Sequence, residues 1–379
     1  MPLRLALAVL ALAICAHPAR AQEVAESPDL EEEEGDRITF GGLVQTQLNT
    51  SGQDGADATD LSLRRVRLSA NARVSPLVSG RIQAELANAA VGGSAELNEA
   101  YALFQFDPAF GVLVGKGGRP FGIIDATTAA SLTPIERGAR FRGAEAAELY
   151  RTLEALAYAG RSVGVQVLGE AGPVVYAAGY FRGAAGEDGG DADIRQFAAR
   201  VQVQPVAGVK VGLAATNRAF ARDDPPRLDP DGGAAGADPS GDTRRGSGVA
   251  LDVEVGDYGR PGFHALAEVV TGTLDPFRDH TFRGAQGWLA YRVEGLAERT
   301  GGVLVAAEPL FRASAADAEG PVGQYDGVLL TPGLNLYAAR NTRLALNLDV
   351  FLRGGAEGGE APAGDDTLVA FRGQVQIAF

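Results

Sequence analysis

The chain has 379 residues, of which 51 are glycine, and its mean hydropathy is −0.01, as strands with one polar and one apolar face would produce. The formal net charge of −14 at pH 7 argues against a nucleic-acid-binding protein, which would need a basic surface. Beyond the N-terminus, no apolar run approaches the roughly 20 residues that a membrane-spanning helix needs.

The first 21 residues have the pattern of a secretory signal peptide. Arg4 supplies the positive start, and residues 5–16 form an apolar run of roughly a dozen residues, which is too short to cross a bilayer. Residues 19–21 (Ala-Arg-Ala) fit the small-x-small cleavage rule. We therefore expect an exported bacterial protein whose mature chain begins after residue 21.

The only cysteine, Cys15, lies inside this leader. Lipidation of Cys15 is an alternative, but Ile14 precedes it where a small residue is expected. After cleavage the mature chain has no cysteine, which excludes disulfides and thiolate metal sites.

Residues 22–36 form an acidic stretch without apolar periodicity, in which residues 31–34 are four consecutive glutamates. We predict a flexible periplasmic lead-in. A calcium site is the alternative, but consecutive carboxylates more often form a solvated run than a coordination cage.

Residues 61–73 show the clearest alternation in the chain. One parity carries Arg65, Arg67, Ser69, Asn71 and Arg73, and the other carries Arg64, Val66, Leu68, Ala70 and Ala72. Successive side chains of a strand point to opposite faces, so this strand has one arginine-bearing face and one small, apolar face. The pattern suits a transmembrane barrel strand, with a half-exposed strand of a soluble sandwich as the alternative.

The rest of the mature chain repeats this pattern, with short and long turns in alternation, as in outer-membrane barrels. The predicted strands are residues 37–48, 61–73, 81–88, 96–106, 112–116, 161–170, 173–182, 193–204, 209–218, 247–256, 262–271, 285–293, 302–309, 327–338, 343–353 and 368–379. Aromatic residues near strand ends, typical of interface girdles, are Phe106, Phe110, Tyr180, Tyr258, Phe263 and Tyr337. The chain ends on Phe379, a usual closing signal of such barrels. We predict an all-β fold, a transmembrane antiparallel β-barrel of about sixteen strands spanning residues 37–379.

Residues 117–160 interrupt the alternation, and a connection of this length needs a reason. We predict a long third loop that folds inward and narrows the pore, with residues 144–159 partly helical.

Seven short stretches, in order, resemble the family of phosphate-selective porins O and P. They are residues 63–68 (LRRVRL), 97–101 (LNEAY), 114–122 (VGKGGRPFG), 135–137 (IER), 161–165 (RSVGV), 308–312 (EPLFR) and 333–337 (GLNLY). The resemblance implies a sixteen-stranded barrel that forms a homotrimer in the outer membrane of a Gram-negative bacterium, in contact with lipid and lipopolysaccharide. It also implies passive diffusion of small anions, phosphate among them, past an arginine-lined path. The chain has only two lysines and acidic loops, so a less selective or cation-preferring general porin is an alternative.

Guanidinium groups bind phosphate bidentately, stay charged, and select anions where they line a pore. The predicted anion path is lined by Arg65, Arg67, Arg73, Arg81, Lys116, Arg200 and Arg372. The predicted constriction in the third loop is formed by Arg119, Arg137, Arg140 and Arg142. The alternatives are that the wall arginines pair with lumen carboxylates such as Glu85, Asp252, Glu254 and Asp349, and that the loop arginines are mobile surface charges.

Other chemistry finds little support in the sequence. A barrel hydrolase would need a histidine base with a partner, and neither His264 nor His280 has an apparent one, so we expect no enzyme. Residues 111–117 miss the phosphate-loop spacing by one residue, and the Asp-rich residues 188–193 and 223–242 lack an ordered calcium-ligand pattern. We expect no cofactor and no metal. A structural or adhesive barrel with a filled lumen is the non-transport alternative.

Overall fold

The structure is a computed structural model that describes residues 38–53, 56–138, 148–182, 195–221, 243–275, 279–318, 327–339, 341–353 and 367–379. The predicted signal peptide (1–21) and acidic lead-in (22–36) lie outside the described residues and stay predictions.

The described residues form sixteen strands. They are β1 (Ile38–Gln53), β2 (Ala56–Arg73), β3 (Val78–Glu85), β4 (Glu96–Asp107), β5 (Phe110–Gly118), β6 (Arg161–Ala171), β7 (Val174–Arg182), β8 (Arg195–Val206), β9 (Val209–Ala221), β10 (Thr243–Val255), β11 (Gly262–Asp275), β12 (His280–Glu294), β13 (Ala306–Ala318), β14 (Gly327–Ala339), β15 (Thr342–Arg353) and β16 (Thr367–Ala378). Each pairs antiparallel with its neighbours in sequence, and β1 pairs with β16 to close the barrel. The prediction of a closed antiparallel barrel of about sixteen strands is confirmed.

The two chain ends close the barrel at one seam. Gly42 N donates to Phe379 O over 2.6 Å, and Phe379 N donates to Gly42 O over 3.0 Å. A Cβ built at Gly42 would lie within 2.8 Å of three atoms of the Phe379 ring, so the terminal aromatic packs on the glycine. Closure leaves no open sheet edge, which a lipid environment requires.

The two faces of the barrel differ as the alternation predicts. On β1, Gln45 and Gln47 are buried and point inward, whereas Leu48 points outward and is exposed. On β16, Arg372 points inward while Val375 points outward. No helix among the described residues is long and apolar enough to cross a membrane.

One predicted strand is misplaced. The sequence pattern predicts a strand at 302–309 followed by a loop, but β13 runs from Ala306 to Ala318. Pro309 resembles a strand end, yet it lies within the strand opposite Leu334. The strand continues because Arg312 and Ser314 point inward between alanines, whose small side chains give a weak apolar signal.

Two of the predicted girdle aromatics are also misplaced. Tyr337 is 3% exposed and donates a hydrogen bond to Glu308, and Tyr258 donates to the Ala130 carbonyl. Both therefore make contacts inside the barrel. Phe106, Phe110, Tyr180 and Phe263 are exposed, as a girdle position requires.

The segment between β5 and β6 enters the barrel. We call its described residues, 119–138 and 148–160, the inner segment. It contains two short helices, α1 (Ile123–Ala126) and α2 (Leu149–Ala155), and a 3-10 turn at Ala89–Val91 lies in the preceding long loop. Phe121, Leu149, Leu153, Leu156 and Tyr158 of the inner segment pack in one buried cluster with Phe181, Ala198, Ala214, Ala250 and Phe282 of the wall. The small wall alanines leave room for this packing.

Candidate functional site

One side of the lumen lies under the inner segment. We call the inward faces of β13–β16 and β1 the loop-covered wall. Its polar side chains donate to backbone carbonyls of the inner segment: Gln45 to Ala129, Arg343 to Leu132, Asn335 to Thr133 and Arg312 to Glu136, over 2.6–3.2 Å. These carbonyls belong to no strand, so the wall supplies their hydrogen bonds. The contacts fix the position of the segment inside the barrel.

Glu136 is the charged contact between the inner segment and the wall. Its carboxylate is 1% exposed and accepts from Arg64 Nε at 2.6 Å, from Arg65 Nη2 at 2.9 Å and from Gln47 Nε2 at 3.0 Å. Arg65 also donates to Gln45. Charge-assisted hydrogen bonds of this kind are roughly twice as strong as neutral ones. Glu136 therefore ties the segment to β1 and β2.

A β-bulge directs Arg64 inward. Residues Gln45 and Thr46 of β1 pair with Arg65 and Leu63, so Arg64 is the extra residue of β2. A bulge breaks the strict alternation of faces. Parity predicts Arg64 on the apolar face, and this prediction is wrong because the bulge brings its guanidinium to Glu136.

The loop-covered wall also buries a carboxylate with two guanidiniums. Asp349 is fully buried, Arg312 Nη2 donates to it at 2.9 Å, and Arg372 forms an ion pair with it. Thr331 and the Glu136 carbonyl complete the contacts of Arg312. Arg372 was predicted to line the anion path, but it is 1% exposed. The correction is that Arg372 braces the wall, as the alternative interpretation held.

Glu148 begins α2 and is also buried in the lumen. Its carboxylate accepts from the backbone N–H groups of Tyr150 and Arg151 and from Ser314 Oγ. Burial raises the pKa of Glu148 above its ordinary value, with the nearby Arg312 acting in the opposite direction. The helix start is thus anchored to β13.

The part of the lumen wall next to the loop-covered wall is reached by solvent. We call the inward faces of β2–β4, with the first residue of β6, the water-facing wall. Arg81 Nε and Arg161 Nε both donate to the carboxylate of Glu99, at 2.7 and 2.9 Å, and the three side chains are 28%, 25% and 17% exposed. Arg81 also donates to Asn71 Oδ1. Two guanidiniums on one carboxylate leave this cluster with excess positive charge facing the lumen.

Other ion pairs continue around the barrel. Arg67 pairs with Glu85 at 2.8 Å, and each side chain is 16% exposed. Arg200 pairs with Asp252, which is 2% exposed. Lys210, which was not predicted to line the path, lies 3.3 Å from Glu254. Each of these pairs joins one base to one acid.

Four predicted path residues point inward as parity requires: Arg65, Arg67, Arg81 and Arg200. Arg65 is corrected in the same way as Arg372, because it is 4% exposed and holds Glu136 of the inner segment. Arg73 shares their parity at the short-turn end of β2 and is exposed. Lys116, in contrast, does not lie on the inward face of its strand. Lys116 pairs with Ala100 and Val163 in the sheet, and Val163 is an exposed outward residue.

The Lys116 Nζ group donates to the Leu97 carbonyl. Its predicted place in the pore lining is therefore corrected, because strand parity puts it on the outer face near the third loop.

The predicted constriction arginines have another role. Arg119 is 4% exposed and donates to Ser162 Oγ and the Ala159 carbonyl, which joins the two ends of the inner segment. Arg137 is 8% exposed and donates to the Ile124 and Thr127 carbonyls. Both fold the segment on itself instead of lining a constriction. Arg140 and Arg142 lie outside the described residues, and their role stays a prediction.

Two residues of the candidate site escaped the sequence reasoning. Arg161 stands at the first position of β6, where parity says little about the direction of a long side chain, and Glu136 lies in an irregular segment without periodicity. The only sequence signal for either was its place in a stretch that resembles the porin family.

The described residues offer no evident site for other chemistry. They contain no group of three or more His, Cys, Asp or Glu that could hold a metal ion. His264 is 5% exposed and its Nε2 lies 3.5 Å from Glu254 Oε1, beyond the ordinary range of a strong hydrogen bond.

Comparison with known proteins gives a family-model match over part of the chain and a set of similar folds. Residues 41–224 match the family model described as phosphate-selective porin O and P, so the resemblance seen in the sequence is confirmed there. No curated protein matches the chain by sequence.

Solved structures share the barrel at low identity. The chain is similar to the outer membrane channel DcaP of Acinetobacter baumannii (12% identity, TM-score 0.61, covering 90% of this chain and 97% of that one). It is also similar to an anion-selective porin from Comamonas acidovorans (13%, 0.58, 90% and 99%) and to Salmonella typhi OmpF in complex with daunomycin (11%, 0.60, 90% and 97%). At these identities the likeness shows the fold.

Proposed function

Because the family match over residues 41–224 and the porin fold together support an outer-membrane porin, we propose that this chain passes small hydrophilic anions, phosphate among them, along its water-facing wall. The observation that carries the proposal is the partly exposed cluster of Arg81, Glu99 and Arg161, in which two bases share one acid. A channel of this kind is a passive pore and not an enzyme.

The charge of the whole chain does not argue against an anion path. The net charge is −14, but an ion in a pore responds mainly to groups within about a Debye length, roughly 8 Å at physiological salt. At the water-facing wall those groups include Arg67 and Glu85 in balance, the Arg81 cluster with its excess base, and the exposed Glu96, which lies opposite Glu85 in the register. Guanidinium groups also match the oxygens of phosphate geometrically.

The proposal also includes the predicted export, membrane location and oligomeric state. Residues 1–21 direct export, the outer barrel face contacts lipid and lipopolysaccharide in a Gram-negative outer membrane, and three copies form a homotrimer. One solved structure with the same fold is described as a trimer form, OmpT of Vibrio cholerae (14% identity, TM-score 0.53, covering 90% of this chain and 99% of that one). The outward leucines, valines and phenylalanines support the lipid contact.

The test is the reversal potential of the purified protein in a planar bilayer with a KCl gradient. We expect a reversal on the anion-selective side, and added phosphate should reduce the chloride current. The double variant Arg81→Gln/Arg161→Gln should move the reversal towards K⁺, because the cluster then carries the charge of Glu99 alone. Arg283→Gln is the matched control, since Arg283 is 63% exposed and pairs with Asp317 on the outer side of the barrel.

Two results would replace the proposal. A K⁺-selective reversal in the unmodified protein would indicate a cation-preferring general porin, with Glu85, Glu99 and other acids dominating. Absence of conductance would favour the structural or adhesive barrel.

A further inference from the structure

A group of buried polar side chains lies on the loop-covered wall, on strands β15, β16 and β1. On the inward face, Asn347 of β15 pairs with Arg372 of β16, and Arg372 pairs in turn with Asn49 of β1. Gln374 follows Arg372 on the same face, and Asn347, Arg372 and Gln374 are each 1% exposed. Directly opposed residues on neighbouring strands have Cα atoms about 4.5–5.5 Å apart, so these side chains share one small space.

Several polar atoms of this group have no hydrogen-bond partner in the part of the chain that the structure describes. They are Arg372 Nη1, Asn347 Nδ2 and Oδ1, Gln374 Nε2 and Asn49 Oδ1. A buried donor or acceptor without a partner costs about 1–3 kcal/mol, and more when it is charged. Native proteins rarely tolerate several such atoms together, so the group indicates a bound species.

The charges near the group favour an anion. Arg312 and Arg372 share the single carboxylate of Asp349. Arg343, also 1% exposed, is bonded to the Leu132 carbonyl and Gln376. Of the other carboxylates nearby, Glu136 is engaged by Arg65, and Asp60 of β2, opposite Asn49 in the register, is exposed to solvent.

Glu148 lies on the far side of Arg312, where it accepts from Ser314 and from the start of α2. Glu308 is also buried and accepts from Asn335 and Tyr337. At Asp349 itself two guanidiniums share one carboxylate, and an uncompensated buried charge is expensive.

We propose that a small monovalent inorganic anion of halide size, with water beside it, binds on the inward face of strands β15, β16 and β1, beside the ion pairs of Asp349. Arg372 Nη1, Asn347 Nδ2 and Gln374 Nε2 are the donors to the anion. Water donates hydrogen bonds to the side-chain amide oxygens of Asn49 and Asn347. A single negative charge balances the one guanidinium that Asp349 leaves over, whereas phosphate would bring more charge than the site compensates.

This site is separate from the proposed permeation path. Its donors are 1% exposed, whereas the Arg81 cluster on the water-facing wall is reached by solvent. The bound anion would stabilise the loop-covered wall. Its loss should therefore lower the melting temperature and leave the ion selectivity unchanged. The inference does not depend on the direction of ion selectivity.

The direct test is crystallographic. Crystals of the full mature protein grown or soaked in bromide should give an anomalous peak within hydrogen-bond distance of Arg372 Nη1 and Asn347 Nδ2. The peak should be absent in Asn347→Leu, which removes the amide without changing any charge. Water alone in the unmodified protein, or a peak that persists in Asn347→Leu, would overturn the proposal.

A solution experiment covers the case in which a variant does not crystallise. The melting temperature of the detergent-solubilised protein should rise with chloride or bromide at constant ionic strength, with gluconate as the replacement anion, because a ligand that binds only the folded state stabilises it. Asn347→Leu should lose this dependence. The control Arg73→Gln, on the exposed end of β2, should keep it. Equal melting temperatures in chloride and gluconate for the unmodified protein would refute the site.

The two proposals fail in distinguishable ways. A bromide peak in a protein that proves K⁺-selective or closed would leave this inference standing and remove the proposed function. Anion-selective conductance with no halide effect on stability would do the reverse.

Discussion

Arg372 on the loop-covered wall and Arg81 on the water-facing wall both point into the barrel, and both pair with a carboxylate. Their side chains are 1% and 28% exposed, respectively. At the first position the ion pair is removed from solvent and holds the wall, and at the second it stays in contact with solvent. Burial, and not strand parity, thus separates the lumen arginines that brace the wall from those that solvent reaches.

The largest effect should follow from Asp349→Asn on the loop-covered wall. The change keeps the volume but leaves Arg312 and Arg372 without their shared carboxylate. Removing one partner of a buried pair typically costs about 3–5 kcal/mol. Urea unfolding in detergent, followed by fluorescence, should show a loss of this size. Asp317→Asn is the control, because Asp317 is 42% exposed and such surface pairs contribute about 0–1 kcal/mol. Equal losses in the two variants would mean that burial does not separate the walls.

The next effect should come from Glu136→Gln, at the contact between the inner segment and the wall. The amide cannot form ion pairs with Arg64 and Arg65, and hydrogen bonds to charged groups contribute about 1.5–3 kcal/mol. The chain has one tryptophan, Trp288, which packs on Ile124 and Leu132 of the inner segment. We expect greater quenching of Trp288 by acrylamide and larger fluctuations of the single-channel current. Unchanged quenching would mean that Glu136 does not fix the segment. Glu154→Gln, on the exposed side of α2, is the control.

A smaller effect on stability, with a clear effect on selectivity, is expected for Glu99→Gln on the water-facing wall. Arg81 and Arg161 would keep their charge and lose the shared acid, so the reversal potential should move further towards anion selectivity. The free energy of unfolding should change by less than about 1 kcal/mol, because the pairs are partly solvated. A large loss of stability with no shift in reversal potential would mean that this cluster has a structural role, like the ion pairs of the loop-covered wall.

The smallest effect is expected for Arg73→Gln, at the exposed end of the water-facing wall. Arg73 makes no ion pair with any described residue, and water and salt screen its charge. Both the free energy of unfolding and the reversal potential should stay close to those of the unmodified protein at physiological salt. At low salt a small shift towards K⁺ should appear. A large shift at high salt would extend the selective region to this end of the pore.

Most of the barrel could be predicted from the sequence because its pattern is local. Alternation of side chains along β1 or β16 depends only on the two-residue period of a strand, and the closing role of Phe379 depends on the chain end. The wrong predictions concern residues whose position depends on contacts with other strands. The bulge turned Arg64 inward, Pro309 did not end its strand, and Tyr337 packs inside the barrel.

The arginines show the same limit more clearly. Parity placed Arg65, Arg67, Arg81, Arg200 and Arg372 in the lumen, which the register supports, but it gave all of them the same role. Which of these arginines are buried depends on tertiary packing. The inner segment contacts wall residues more than 200 positions away in the sequence, as in the hydrogen bond from Arg343 to the Leu132 carbonyl. No local pattern encodes such a contact. For the same reason Arg119 and Arg137 gave no sign that they would be buried in the segment itself.

The sequence by itself determined the class of fold, the number of strands and the face on which most side chains lie, because each follows from a period of two along the chain and from the demand that every backbone group in a bilayer be paired. Only the tertiary structure decided which lumen charges meet water. That choice depends on where the inner segment packs, and it packs where small wall residues such as Ala198, Ala214 and Ala250 leave space and where buried donors such as Asn335 and Arg343 meet its carbonyls.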